Sequence, residues 1–394
     1  MKKQNNLLKS ARIERCWTPE FVSGKVGVSL STYIRWEAGR QRPCHSSLIA
    51  LCQVFEMSAE ELGFTHPADL RRSIPIGEQT QQYTEMDESL ASLDDPQVST
   101  ETLAQWASSI AECWKNYMAG HQVELEHTAP TYLAGLSKPT LSPGPDQKTA
   151  AGLTSQVYQL IALLDLQRAD FAAAQANGTQ ALVYSQLSTD WNMYVAAQIR
   201  LATIFSARKQ VGSALSAYND ALRRVNAGID SISPLLHSWI FAGLAEIQAT
   251  MGRGQEALQL LKLAFAVFPP KPEEDACFAY TQYDLTMLFL YEGMVFLRLG
   301  QPKHAWEAFA RVDEQKPTPP ARLRAEFLKH RTYTSLVLGN MIQSCIYLEA
   351  AAKAAQAISS DLVLSEIYTL YEHMLAMWGQ EPRVRALAKL FQKG

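Results

Sequence analysis

The sequence predicts an all-α protein: a small domain of short helices followed by an α-solenoid of five or six repeated helix pairs. Three observations carry that expectation. From about residue 101 onward nearly every segment is an alanine-rich amphipathic stretch, and no convincing strand run interrupts them. The same small and aromatic residues return at matching offsets along that region. The first sixty residues, by contrast, are basic and closely punctuated by helix starts and stops.

The bulk properties set the frame. A chain of 394 residues is too long for one ordinary core. Its net charge of −3 hides an asymmetry: residues 1–45 hold nine Lys/Arg against three Asp/Glu, or +6, and the remainder holds 27 against 36, or −9. A basic head on a mildly acidic body points to an acidic partner for the head. No apolar run is long enough to span a membrane, and MKKQNNLLKSARIERCW lacks the apolar centre and cleavage site of a signal peptide. Cys16, Cys44, Cys52, Cys113, Cys277 and Cys345 are scattered without a CxxC pair. Such spacing fits buried thiols in a reducing compartment, the cytoplasm, rather than disulfides or zinc.

The head, residues 1–65, reads as about five helices. LLKSARIERC (7–16) is amphipathic. Thr18-Pro19 opens the second helix with a hydroxyl cap and a proline at the first helical position. Gly27 turns the chain, Ser29 caps the third helix, Gly39 stops it, and Pro43 keeps the exit extended. SSLIALCQVF (46–55) and SAEELGF (58–64) complete the unit. In the third helix Tyr33 and Trp36 share a face and join Phe21, Val26, Val28 and Leu51 in a small core. Leu30, Ser31, Ile34 and Arg35 face outward, with Arg40 and Arg42 in the exit loop.

Residues 66–100 are polar, then acidic, without helical or strand period, and read as a linker. Residues 101–394 form the repeat region, broken at SKPTLSPGPDQKT (137–149), FPPKPEED (268–275) and QKPTPPAR (315–322). One unit has Ala245, Ala257, Leu261, Ala264 and Pro269. The next has Phe289, Gly293, Phe296, Gly300, Ala305 and Phe309, and an earlier one has Ala202, Phe205, Ala214, Tyr218 and Ala221. Weaker copies surround Ala162, Ala174 and Ala181, and Gly339, Leu348 and Ala351. Small residues let antiparallel helices approach, and an aromatic fills the groove against the next pair. Tyr280, Tyr283 and Phe289 read as core between helices.

These repeats resemble the tetratricopeptide repeat, in a loose form: Ala214 to Ala257 is 43 residues and Ala257 to Ala305 is 48, against ~34 in a standard unit. The head resembles the Xre/phage-repressor type of helix-turn-helix DNA-binding domain. Thr18-Pro19-Glu20, Gly27-Val28-Ser29 and the run Ser31-Thr32-x-x-Arg35-Trp36-Glu37-x-Gly39 with Pro43 carry that resemblance over residues 5–64. It implies a recognition helix over about 30–38 in the major groove of double-stranded DNA. Leu30, Ser31 and Arg35 take the family's base-facing positions, Thr32 a base or phosphate contact, and Arg40 and Arg42 phosphates. With Ser29 at the turn, these form the candidate DNA-binding set. The sequence departs from the pattern at Pro19, Gly24 and Ile34.

A head of this type before such an array resembles bacterial regulators that sense signalling peptides, of the Rgg/PlcR type. That resemblance implies a homodimeric transcription regulator whose array takes a peptide or protein effector. The first helix of each repeat then lines the inner face, where Glu246 and Arg298 are candidate effector contacts. The competing expectation is a protein-interaction scaffold with a vestigial helix-turn-helix head. Enzyme chemistry has little support: His121, Glu124 and His127 in HQVELEH do not gather on one helical face, and no GxxxxGK[ST] or GxSxG run occurs. Neither a metal nor a cofactor is expected.

Overall fold

A computed structural model describes residues 6–15, 17–26, 28–39, 43, 45–55, 57, 62–64, 100–226, 232–315 and 318–392. Helices and their connections account for all of them; no strand occurs among the described residues. The chain divides into two compact units, Met1–Asp94 and Asp95–Gly394. Residues 66–99 of the expected linker lie outside the described residues, as do Gly27, Arg40, Arg42 and residues 58–61. Thr100 already begins a helix.

The first unit holds α1 (Asn6–Glu14), α2 (Pro19–Val26), α3 (Leu30–Glu37) and α4 (His45–Phe55). The Thr18 hydroxyl accepts from the Phe21 amide at 3.2 Å, so the predicted cap is made. Its core is Leu8, Ala11, Val22, Tyr33, Trp36, Leu51, Phe55, Leu62 and Phe64, with Val26 and Val28 at the edge. Phe21 is not part of it. That ring is 45% exposed and leans on Trp17 at 5.4 Å, because Val22, the next residue of α2, takes the inward position.

The second unit begins with α5 (Thr100–Ala119) and α6 (Gln122–Leu141). Five helix pairs follow: α7 (Gln147–Gln167) with α8 (Phe171–Ser188), α9 (Trp191–Ala207) with α10 (Val211–Asn226), and α11 (Pro234–Thr250) with α12 (Gly254–Val267). After the short α13 (Phe278–Thr281) come α14 (Leu285–Arg298) with α15 (Pro302–Gln315) and α16 (Ala321–Val337) with α17 (Met341–Ala357). The chain ends in α18 (Asp361–Trp378) and α19 (Pro382–Ala386). The break expected at 137–149 starts later, at Ser142, with Pro139 inside α6. Tertiary bonds hold that end helical: Thr140 Oγ1 meets Thr154 Oγ1 at 2.9 Å, and Gln147 Nε2 donates to the Thr140 carbonyl at 3.2 Å.

The repeat signal has a structural cause beyond alanine content. Each turn from first to second helix places one residue in the left-handed region: Ala169 (φ 58°), Lys209 (59°), Gly252 (75°), Gly300 (70°) and Gly339 (73°). The following amide reaches back to close the helix end, as in Asp170 N to Asp165 O at 3.0 Å and Gln301 N to Phe296 O at 2.9 Å. Three units meet this geometry with glycine, and two with a residue that has a Cβ. The small residues also do their expected work. Ala162, Ala174, Ala202, Ala214, Ala257 and Ala305 are wholly buried, and the Phe309 ring lies where a Cβ on Gly293 would stand.

First helices contact one another in order, α7–α9–α11–α14–α16–α18, and form the inner layer. The array then returns on itself: α16 touches α5, and α18 touches α7. Arg322, 5% exposed, donates from Nε to the Tyr117 carbonyl at 2.9 Å and from Nη2 to Gln122 Oε1 at 3.1 Å. Ser360 Oγ donates to Gln167 Oε1 at 2.6 Å. Leu362 of α18 sits in the main core with residues of α5, α6 and α7.

Two substitutions test this packing in opposite directions. Gly293→Ala should destabilise the protein by about 1–3 kcal/mol, because the buried Phe309 ring must move. Lys209→Gly should stabilise it by roughly 0.5 kcal/mol, since relief of the left-handed strain outweighs the added freedom of the unfolded chain. Urea midpoints of the two variants, compared with the parent, check both signs.

Candidate functional sites

The head's candidate surface is α3. Its inner face is fixed by Tyr33, fully buried, and Trp36, 2% exposed, whose rings meet edge to face at 6.3 Å. Glu37, at the end of the helix, receives the Arg12 guanidinium through two bonds of 2.6 and 3.1 Å, with both side chains 11% exposed. Arg12 also donates to the Trp17 carbonyl at 2.9 Å. This one side chain therefore ties α1, the α1–α2 turn and α3 together. The carboxylate of Glu37 raises the pKa of Arg12, and burial raises that of Tyr33.

With that face immobilised, the other face presents Ser29, Ser31, Thr32 and Arg35. Ser29 caps the helix, accepting from the Thr32 amide at 3.3 Å, and its hydroxyl lies 2.8 Å from that of Thr32 and 3.1 Å from that of Ser31. Arg35 is exposed and folds along the helix, with Nε donating to the Ser31 carbonyl at 3.2 Å. Leu30 is half-buried, and Ile34 is 48% exposed. Ser29, Ser31, Thr32 and Arg35 thus come together in one hydrogen-bonded patch. Arg40 and Arg42 lie outside the described residues. Nothing in the sequence pattern alone singled out Arg12, although its pairing with Glu37 is what orients the patch.

In the array, Glu246 and Arg298 lie on α11 and α14 and face each other, Arg298 Nη2 standing 3.9 Å from Glu246 Oε1. They border a second group from α16 and α18. Lys329 Nζ bonds Glu326 at 2.5 Å and Glu366 at 2.6 Å, and His330 Nε2 lies 3.9 Å from Glu326. The inner layer therefore carries three carboxylates and two cations on four successive first helices. Glu366 and Arg298 are 43% and 52% exposed, while Glu246 and Lys329 are largely covered. Burial raises the Glu246 pKa against the pull of Arg298. Burial would lower that of Lys329, but its two carboxylates hold it above the usual value. His330, stacked on Phe309 at 6.1 Å, is driven well below 6.5 by burial first, then by Lys329 and Arg298. Sequence reasoning reached Glu246 and Arg298 by repeat offset but missed Lys329 and Glu366, because α16 and α18 belong to the weakest copies.

His121, from the HQVELEH run, stands just before α6, and its Nδ1 is 3.8 Å from Glu124 with both side chains more than half exposed. No helix among the described residues is long and apolar enough to cross a membrane.

No family model and no curated protein matches the chain. Solved structures similar to it include the following two. One is Bacillus thuringiensis PlcR in complex with the peptide PapR7 and DNA, at 12% identity over 86% of this chain and 99% of that one, with a TM-score of 0.40. The other is the APC/C hetero-tetramer Cut9-Hcn1, at 14% identity over 95% of this chain and 67% of that one, with a TM-score of 0.39. At these scores the repeat architecture stands on the helix pairing described above.

The inner face has a pH consequence. Folded His330 stays neutral where the unfolded side chain, near its ordinary 6.5, already binds a proton. Stability from this group is complete above that value and falls as pH drops below it. The urea midpoint should therefore decrease between about pH 7 and pH 5, and His330→Gln should remove part of that decrease. Parallel pH profiles for parent and variant would refute the assignment.

Proposed function

We propose that the protein is a sequence-specific DNA-binding transcription regulator: residues 1–65 bind double-stranded DNA through α3, and residues 101–394 dimerise and take a peptide or protein effector. The observation that carries this reading is the contrast between the two faces of α3. One is locked by Tyr33, Trp36 and the Arg12–Glu37 bridge; the other offers Ser29, Ser31, Thr32 and Arg35 to solvent. A rigid helix with short polar groups and one arginine suits the major groove, where arginine pairs with guanine O6 and N7 and hydroxyls contact bases or phosphates. In this reading Leu30 touches a thymine methyl, and Arg40 and Arg42, which lie outside the described residues, take the phosphate contacts. The +6 balance of residues 1–45 supplies the non-specific attraction.

A homodimer presents two such helices to half-sites about one DNA turn apart. An effector on the inner layer, near Glu246 and Arg298, changes DNA affinity only by binding the two dimer arrangements unequally. The reading places the protein in the cytoplasm and assigns it no enzymatic step, metal or cofactor.

Binding of the full-length protein to DNA from its own upstream region, followed by gel shift, tests the reading. Arg35→Ala should cost about 1–3 kcal/mol on the specific site and relax the preference at one base position. A parent protein that shifts no DNA, or an Arg35→Ala variant that loses equally on specific and random DNA, would favour a scaffold whose head is vestigial.

A further inference from the structure

Between α12 and α14 the chain spends residues 268–284, whereas the joints after α8, α10, α15 and α17 use residues 189–190, 227–233, 316–320 and 358–360. This connection does not stay at the edge of the array. Cys277, Tyr280 and Tyr283 are buried in the main core, and α13 packs on α5. Tyr283 stacks on Trp239 of α11, with ring centroids 5.2 Å apart and planes 11° from parallel. The segment is strained at Gln282, whose φ is +52°.

At its centre stands Arg200 of α9, 9% exposed. Its guanidinium lies between the Trp114 and Trp239 rings, 5.1 and 4.6 Å from their centroids. Nη2 donates to the carbonyls of Tyr280 at 3.2 Å and Thr281 at 3.5 Å, and buried Nε has no hydrogen-bond partner. No carboxylate pairs with Arg200 among the described residues. Burial without a counter-charge lowers its pKa to about 10. Two neutral carbonyls thus stand where a charge-assisted, two-pronged acceptor would bind a guanidinium more strongly.

We propose that Arg200 is a carboxylate anchor on the inner layer, and that residues 278–284 are the chain's own occupant of that place. The ligand class follows from the stand-in: a short peptide with a carboxylate beside an aromatic side chain, the carboxylate replacing the Tyr280 and Thr281 carbonyls and the aromatic replacing Tyr283 against Trp239. This deepens, and rests on, the reading of the repeats as an effector-binding array. A carboxylate reaching Arg200 releases residues 278–284, so ligand occupancy is converted into movement of the α12–α14 connection.

Full-length protein and its Arg200→Met variant are compared by hydrogen exchange and thermal melting. The probes are N-acetylphenylalanine, which mimics a peptide C-terminus, N-acetylglutamate α-amide, which mimics an acidic side chain, and neutral N-acetylphenylalanine amide, all at equal ionic strength. Exchange of the 278–284 amides should rise with one or both carboxylates in the parent, and not in Arg200→Met or with the amide. Which carboxylate acts tells the two sources apart. Arg200→Met should melt at or above the parent temperature, because it removes an uncompensated buried charge while filling the same space. A melting temperature several degrees lower would make Arg200 a structural staple, and indifference of 278–284 to both carboxylates would remove the anchor. An intact gel shift alongside either result keeps the regulator reading; a carboxylate response without a gel shift does the reverse.

Discussion

Closure of the array by Arg322 is the constraint on which the rest of the body depends. A guanidinium taken almost wholly out of water must find acceptors, and it finds them on the Tyr117 carbonyl and Gln122, some two hundred residues earlier in the chain. Its flat face lies 3.9 Å from the centroid of the Tyr117 ring. Ser360 and Gln167 make a second link across the same seam. An open solenoid exposes its inner layer along its whole length and lets each repeat feel only its neighbours. Here α16 touches α5, α18 touches α7, and Leu362 of α18 enters the main core, so the two ends of the array are joined across the seam.

That closure explains why the inner layer is so unevenly available. Around Arg200, Trp114, Trp239 and Tyr283 it is filled by the protein's own α5 and the 268–284 connection. Around Arg298 and Glu366 it reaches solvent. The covered part holds a cation with weak acceptors, and the open part holds cations and carboxylates that neutralise one another. The two parts suit different roles, anchoring and selection, on one surface. In the head the same economy operates at smaller scale. The Arg12–Glu37 bridge and two aromatic rings hold one side of α3, leaving short hydroxyls and Arg35 free of any packing duty.

Much of this was legible in the sequence because it rests on local rules. Thr18 and Ser29 cap where hydroxyls before helices should, and Tyr33 and Trp36 share a face because they are three apart. The alanines and Gly293 mark close helix approaches wherever the repeat offset places them. What escaped is long-range. The spacing alone reads Phe21 as core, but the register of α2 gives that place to Val22. Arg12, Arg322 and Arg200 look like ordinary charged residues, and only the folded chain brings Glu37, Tyr117 or two tryptophans to them. The connection at 268–275 read as a break because of its prolines, while the buried tyrosines just after it read as core; both readings hold, and their combination, a connection that is itself core, has no local signature. Likewise Ala169 and Lys209 occupy the turn position that glycine marks in three other units, which blurred the repeat.

Native-state hydrogen exchange along the body, helix by helix under rising denaturant, tests the closed array most directly. Closure across the seam predicts that α5–α7 and α16–α18 open in one cooperative step with the same free energy, and that Arg322→Met lowers both together. A steady gradient of stability from one end of the array to the other, with Arg322→Met felt only in α16 and its immediate neighbours, would contradict closure and return the body to an open solenoid.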